Sequence, residues 1–434
     1  AGNAGGGGDR AFLYDSAGND SLVAKPTYSY LTGTGFYNSA SGFRSVYAYA
    51  TAGNAGGGGD RAFLYDSAGN DSMVAKPTYS YLTGAGFYNS ASGFRSVYAY
   101  ATAGNAGGGG DRAFLYDSAG NDSFVAKPTY SYLTGTGFYN SASGFRSVYA
   151  YATAGNAGGG GDRAFLYDSA GNDSFVAKPT YSYLTGTGFY NSASGFRSVY
   201  AYATAGNAGG VGDRAYLYDS AGNDTLVAKP TYSYLTGTGF YNSANGFGSV
   251  YAYATAGNAG GVGDRASLYD SAGNDSFVAT PTSSYLTGAG FYNAANGFRN
   301  VYAYATAGNV GGVGDRAFLY DSAGNDSFVA TPTYSYLTGT GFYNSASGFR
   351  SVYAYATAGN AGGVGDRAFL YDSAGNDSFY GRSGYGYLKG LGFYNYVGGF
   401  DKVYAYANAG GTDTLNVRAL DYYFSKLGTW ENIL

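Results

Sequence analysis

The chain has 434 residues, of which 76 are glycine and 52 tyrosine, with no cysteine and no histidine. Disulfides, thiolate nucleophiles, imidazole bases and Cys/His zinc sites are therefore excluded. Lys plus Arg (24) nearly balances Asp plus Glu (28), so there is no basic stripe for nucleic acid, and no apolar run is long enough to span a membrane.

One 51-residue sentence opens at Ala1 and restarts at Ala52, Ala103, Ala154, Ala205, Ala256, Ala307 and Ala358. A fixed period marks an array. A unit of this size is close to the lower limit for folding alone, so neighbouring units are expected to share a core. Residues 1–408 then form eight units, the last divergent, and residues 409–434 form a tail. The chain starts in mid-pattern and without Met, which reads as a processed piece or segment of something longer.

Taken in chain order, the first unit opens on Gly5 to Gly8. No Lys-Ser/Thr follows, so this is not a phosphate loop. Asp9-Arg10 reads as a plain ladder pair. Ala11-Phe12-Leu13-Tyr14, Leu22-Val23-Ala24, Tyr28-Ser29-Tyr30-Leu31 and Val46-Tyr47-Ala48-Tyr49-Ala50 are short runs with a period of two, the signature of strands. Turn residues separate them at Ala17 to Asp20, Gly33-Thr34-Gly35 and Ser41-Gly42. Pro26 recurs through Pro332 and is expected at a corner between strands.

Leu13, Leu31, Ala48 and Leu64 lie 18, 17 and 16 residues apart. The unit therefore reads as about three rungs of a parallel β-solenoid (a β-helix or β-roll), an all-β architecture. An eight-bladed propeller is the competing arrangement, and the inner period argues against it.

The copies act as an internal substitution series. Position 13 is Leu in all eight, and position 22 accepts only Leu, Met or Phe (Leu22, Met73, Phe124), so both are placed inside. Position 12 drifts from Phe12 to Tyr216 to Ser267, and position 28 from Tyr28 to Ser283, so both are placed outside. By alternation Tyr14, Tyr30, Tyr47 and Tyr49 join the outer face, while Leu31, Val46, Ala48 and Ala50 point in. The expectation is a rod with an aliphatic interior and a tyrosine coat. In the tail, Tyr423, Leu427, Trp430 and Leu434 follow helical spacing, flanked by Phe424 and Ile433, which predicts a short amphipathic helical cap over the last rung.

Each unit carries Gly-Asn-Asp-Ser/Thr-apolar, as in Gly18-Asn19-Asp20-Ser21-Leu22, with a last copy at Gly411-Thr412-Asp413-Thr414-Leu415. This resembles the calcium-binding nonapeptides of RTX (hemolysin-type) β-rolls. The resemblance covers about six residues per unit plus a looser Gly5 to Asp9 stretch. It implies a parallel roll, a bacterial secreted or surface protein, and Ca²⁺ between successive turns. Asp15, Asp20, Asp66, Asp71, Asp117, Asp122, Asp224 and Asp377 become candidate ligands, with the next unit's Asp60 a candidate to converge on Asp15 and Asp20. The alternative is that Asn19-Asp20 simply close a turn on their own backbone. Asn19-Asp20-Ser21 also fits a glycosylation sequon, which a repeated turn explains more simply.

No cofactor is required by this reading, and no unique catalytic constellation stands out, so an enzyme is not expected. The expected function is a structural extracellular fibre or stalk at the cell surface that associates with itself head to tail or side by side. Tyr14, Tyr28, Tyr30, Tyr47, Tyr49 and Trp430 are its candidate contact residues toward other copies, glycans or surfaces. The alternative is a calcium-dependent, RTX-like adhesin or binding module.

Overall fold

The computed structural model describes residues 8–51, 59–102, 110–153, 161–204, 212–255, 263–306, 314–357 and 365–432. The chain divides into two units, Ala1–Asp213 with Gly239–Gly246, and Arg214–Thr238 with Phe247–Leu434. Among the described residues every regular element is a β-strand, five to a repeat.

In the first repeat these are β1 (Arg10–Tyr14), β2 (Ser21–Ala24), β3 (Tyr28–Gly33), β4 (Phe36–Ser41) and β5 (Ser45–Tyr49). The second supplies β6 (Arg61–Tyr65), β7 (Ser72–Ala75), β8 (Tyr79–Gly84), β9 (Phe87–Ser92) and β10 (Ser96–Tyr100), and the third begins with β11 (Arg112–Tyr116). β1 pairs parallel with β5, and β5 parallel with β9. β9, β8 and β7 form an antiparallel meander, and β7 passes the ladder on in parallel to β11. A second sheet holds the β4–β3–β2 meander, followed by β6 and β10 in parallel. Each repeat thus places its first and fifth strands in one sheet and its middle three in the other, and the next repeat exchanges the roles. The second unit is built from the same pairings, for example Arg214–Tyr218 with Ser249–Tyr253 and then Phe291–Asn296.

The solenoid-like, all-β expectation holds in this coarse sense, but three equivalent rungs do not exist. Leu13 pairs with Ala48 in one sheet, whereas Leu31 pairs with Leu22 and Asn38 in the other. The 17-residue spacing counts crossings between sheets, not stacked turns. The cause is local: Thr34-Gly35, with Gly35 at φ 83°, and Lys25-Pro26-Thr27 are short loops that fold adjacent strands back on each other. Pro26 accordingly sits in a hairpin loop.

The interior columns follow from register. One runs Leu13, Ala48, Ala91, Ser80, Ala75, Leu115, and its neighbour runs Ala11, Val46, Asn89, Leu82, Met73, Ala113. Position 22 is fully buried, as Leu22, Met73 or Phe124. The purely aliphatic interior is corrected on two counts. Phe87 and Phe94 and their counterparts in later repeats are buried, and each column contains one polar residue. The buried Asn89 is not wasted: its Nδ2 donates to the Lys25 carbonyl at 3.0 Å, in a loop of the opposite sheet. Asn140 to Lys76 and Asn293 to Lys229 repeat this tie at 3.1 Å. Ala50, placed inside from the sequence, is only partly covered.

The helical cap is also corrected. Tyr423–Gly428 and Trp430–Asn432 are strands, parallel to Lys402–Ala407 and Asp413–Val417. Both sheets end in open strand edges whose unpaired N–H and C=O groups reward another strand more than a helix. Gly428, at φ 86°, breaks the chain between the two strands. Phe424 then stacks on Phe379 at 4.8 Å, and Trp430 meets the same ring edge-on at 6.5 Å. Ile433 and Leu434 lie outside the described residues.

Candidate functional site

Two features recur from repeat to repeat: a cluster of aspartates at the crossover between sheets, and an aromatic outer face. The placement of the aspartates follows directly from the strand order.

β1 ends at Tyr14, and the chain crosses through Asp15 to Asp20 into β2, turning at Gly18 with φ 126°. β6 lies beside β2, with Arg61 opposite Ser21, so Asp60, the residue before β6, stands next to Asp20. The Asp20 amide donates to Asp60 Oδ1 at 2.7 Å, and Arg61 N donates to the Asp20 carbonyl at 2.9 Å. Carboxylate oxygens of Asp15, Asp20 and Asp60 all lie within 4.8 Å of one another. Asp66, Asp71 and Asp111 do the same, as do Asp117, Asp122 and Asp162, then Asp168, Asp173 and Asp213, then Asp219, Asp224 and Asp264, and three more groups follow. Asp413 completes the last one: it accepts from the Asp377 amide at 2.8 Å, with Asp372 and Asp377 as its charged neighbours.

Each acid is held by specific donors. In the second repeat Asp66 Oδ1 accepts from Thr102 N at 2.8 Å and Thr102 Oγ1 at 2.6 Å. Asp71 Oδ2 accepts from Ser67 N at 2.9 Å and Ser67 Oγ at 3.2 Å. The turn reading of Asn19-Asp20 is therefore part of the arrangement, since Asp20 Oδ2 accepts from Ser16 N at 3.1 Å. Gly84 is needed beside the second acid: a Cβ there would lie 1.6 Å from Asp71 Oδ1.

The donors do not saturate the acids. Asp66 Oδ2 and Asp71 Oδ1 are buried with no hydrogen-bond partner, and so are Asp117 Oδ2 and Asp122 Oδ1. Asp117 is 5% exposed and Asp162 3%. Their two side chains nevertheless lie within hydrogen-bonding reach of each other. Burial, augmented by the charges of Asp117 and Asp122, pushes the Asp162 carboxyl up to about 6. Burial likewise raises Asp168, Asp219 and Asp321 to about 6, against the lowering effect of the threonine bonds. Touching buried carboxylates need a positive charge between them, supplied by a proton or a cation. An all-oxygen donor set of charge −3 suits a hard cation such as Ca²⁺ and disfavours soft metals.

Of the acids selected from the sequence, the structure brings Asp15 with Asp20, Asp66 with Asp71, and Asp117 with Asp122, each pair joined by the next repeat's acid. Asp224 and Asp377 occupy the equivalent place in later repeats. The reading of Asp9-Arg10 as a plain ladder pair leaves out what the later copies do, because Asp60 and Asp111 are buried members of the clusters. Sequence reasoning missed the threonine at Thr51, Thr102 and Thr153, and the glycine cradle. Their signal was available, because Thr51 recurs unchanged through Thr357.

The outer face is aromatic as expected. Phe12 stacks on Tyr47 at 5.2 Å and Tyr14 on Tyr49 at 5.1 Å, a spacing close to the distance between paired strands. Tyr30 stacks on Tyr37, and the hydroxyls of Tyr28 and Tyr37 meet. Lys25 Nζ sits 5.5 Å from the Tyr65 ring centre. Stacked rings cover one another's faces, so this surface offers ring edges and hydroxyls more than open platforms. Trp430 is half-buried, with Nε1 donating to the Leu427 carbonyl at 3.1 Å.

No protein-family model, curated protein or solved structure matches the chain.

Proposed function

We propose that this protein is a structural element, an extracellular fibre or stalk built by repetition and able to associate with further copies of itself. The supporting observation is the ladder between repeats. β2 to β6 and β5 to β9 join one copy to the next through parallel backbone pairing in a constant register. Continuous backbone bonding of this kind resists local opening, because no repeat opens without breaking pairs on both sides. The acids and most of the ring pairs recur from copy to copy, a pattern that suits a function distributed along the chain. The hydroxyl-rich outer face supplies lateral contacts. Electron micrographs of the purified protein test the reading: fibres or laterally bundled particles support it, and dispersed discs at all concentrations overturn it.

The aspartate clusters favour a second reading, a calcium-dependent surface adhesin or binding module. Circular dichroism before and after chelation separates the two, since loss of the β signal supports the second and indifference the first.

A further inference from the structure

We propose that the tyrosine pair of the β3–β4 hairpin, Tyr28 with Tyr37, and its copies in later repeats form a site of oxidative cross-linking, where a haem-peroxidase-type oxidant using hydrogen peroxide joins the two rings. The inference goes beyond the structural reading and does not depend on fibres forming.

Geometry singles out this pair. Tyr28 lies opposite Ser41 and Tyr37 opposite Thr32, so the two stand at different levels of the hairpin and reach toward each other along it. Their hydroxyls meet, as do those of Tyr79 with Tyr88, Tyr130 with Tyr139, Tyr181 with Tyr190 and Tyr334 with Tyr343. Tyr30 packs against both rings, at 5.8 Å from Tyr28 and 5.3 Å from Tyr37. Face-to-face pairs such as Tyr14 and Tyr49, 5.1 Å apart, are different. Their rings stand directly opposite on strands that the ladder holds about 4.8 Å apart, so a bond between them would bend the sheet. Tyr28 and Tyr37 meet end to end, and side-chain rotation alone closes the gap.

Composition leaves an oxidant little else to attack. Cysteine and histidine are absent, Met73 is fully buried, and Trp430 is half-buried in the last strand. Each one-electron step takes an electron and the hydroxyl proton from a phenol, leaving a radical whose spin spreads to the carbons beside the hydroxyl. Two such radicals combine there. One carbon–carbon bond forms, the carbon–hydrogen bonds at the joined positions break, and those protons return to the oxygens to restore both hydroxyls. The pair thus loses two electrons and two protons, which reduce one hydrogen peroxide to two waters. Partners already in place react as if at about 10⁵–10⁸ M, far above any collision between chains. Tyr88 also packs on Tyr47 of the preceding repeat at 5.5 Å, so the staple lies against the joint between repeats. The sixth repeat is a built-in exception: Ser283 stands at the first position, and its hydroxyl donates to Asn296 Oδ1 at 2.8 Å.

The test exposes the full chain, at high dilution, to hydrogen peroxide and a haem peroxidase, followed by denaturation, tryptic digestion and mass spectrometry. The second and sixth repeats give distinct peptides, 62–95 with Met73 and 266–299 with Ser283. Peptide 62–95 should become lighter by two hydrogen atoms, with fragmentation suppressed between Tyr79 and Tyr88, at least about tenfold more often than peptide 266–299. Blue emission from coupled tyrosines should appear with it. Tyr79→Phe keeps the ring that packs on Tyr81 and removes only the phenol, so it should abolish the loss in 62–95 and leave the other repeats unchanged. Hydrogen exchange across residues 79–92 should slow after coupling, because the staple closes a loop. No two-hydrogen loss in 62–95, equal loss in 266–299, an unchanged loss in Tyr79→Phe, or coupling only between chains that fades on dilution would each overturn the staple.

Discussion

Replacing Gly135 with alanine probes how tightly the site and the fold are linked. Its backbone is not in the left-handed region, so alanine meets no conformational penalty there. The added Cβ would instead lie 1.6 Å from Asp122 Oδ1 and 2.6 Å from Phe138 Cε1. Ordinary contacts begin near 3.5 Å, so the carboxylate must move by more than an ångström. That motion breaks the bonds from Ser118 N at 3.0 Å and Ser118 Oγ at 3.2 Å. A hydrogen bond to a charged group contributes about 1.5–3 kcal/mol, and overpacking costs about 1–3 kcal/mol. With two such bonds lost the sum is about 4–9 kcal/mol, a local loss. A single global unfolding free energy is ill-defined for a repeat array, so hydrogen exchange with mass spectrometry is the right assay. Peptides covering residues 112–143 should exchange at least 100-fold faster, while peptides several repeats away stay unchanged. Gly135→Ala combined with Asp122→Ser should recover the part of the loss that comes from crowding the carboxylate, but not the Ser118 bonds, which need Asp122 as acceptor. Gly135→Ala within about tenfold of wild-type exchange, or no recovery in the double variant, would refute the reasoning.

In cation-free buffer the chain should become more stable as pH falls from about 7 toward about 4. Asp162, Asp168, Asp219 and Asp321 titrate near 6 when folded, above the ordinary aspartate value of 3.8, so the folded state takes up protons first. The stabilisation is complete below about 4 and is lost as pH rises through about 6; a urea midpoint that falls steadily on acidification would contradict this. Asn191→Ala removes the donor to the Lys127 carbonyl at 3.1 Å and should cost about 1–3 kcal/mol, read as faster exchange in both the Phe189–Ser194 strand and the loop containing Lys127. Ser182 is 1% exposed and its hydroxyl has no partner, so Ser182→Ala should leave stability unchanged or raise it by up to about 1 kcal/mol in thermal melts, and a clear loss would show a hidden partner.

The period, the all-β class and the two faces of most strands were legible in the sequence because they depend on single residues and their immediate neighbours. Eight parallel copies exposed which positions tolerate serine and which do not, and that tolerance tracks burial at Phe12, Leu13 and Leu22. The tyrosine coat followed from the same alternation. The acids at Asp15, Asp20 and Asp60 were recognisable as candidates because the same carboxylates return at the same spacing in every copy, while the cations at Arg44 and Lys25 are lost in some.

Pairing partners were not legible from spacing alone. A 17-residue rhythm is compatible with stacked rungs and also with alternate visits to two sheets, and only the register of β1 with β5 and of β2 with β6 separates them. The tail shows the same limit. Its apolar spacing suits a helix in isolation, but the open edges of two sheets make a strand the better solution. Asn89 is the sharpest case: in sequence it is one polar residue in a strand, and it becomes a tie only because the opposite sheet brings the Lys25 carbonyl within 3.0 Å. The residue pattern by itself determined the repeat, the strands and their faces, since these are set within a few residues. The folding back of each hairpin and the exchange of sheets between repeats decided which distant groups meet, because a contact forty residues apart is set by backbone pairing and not by local preference.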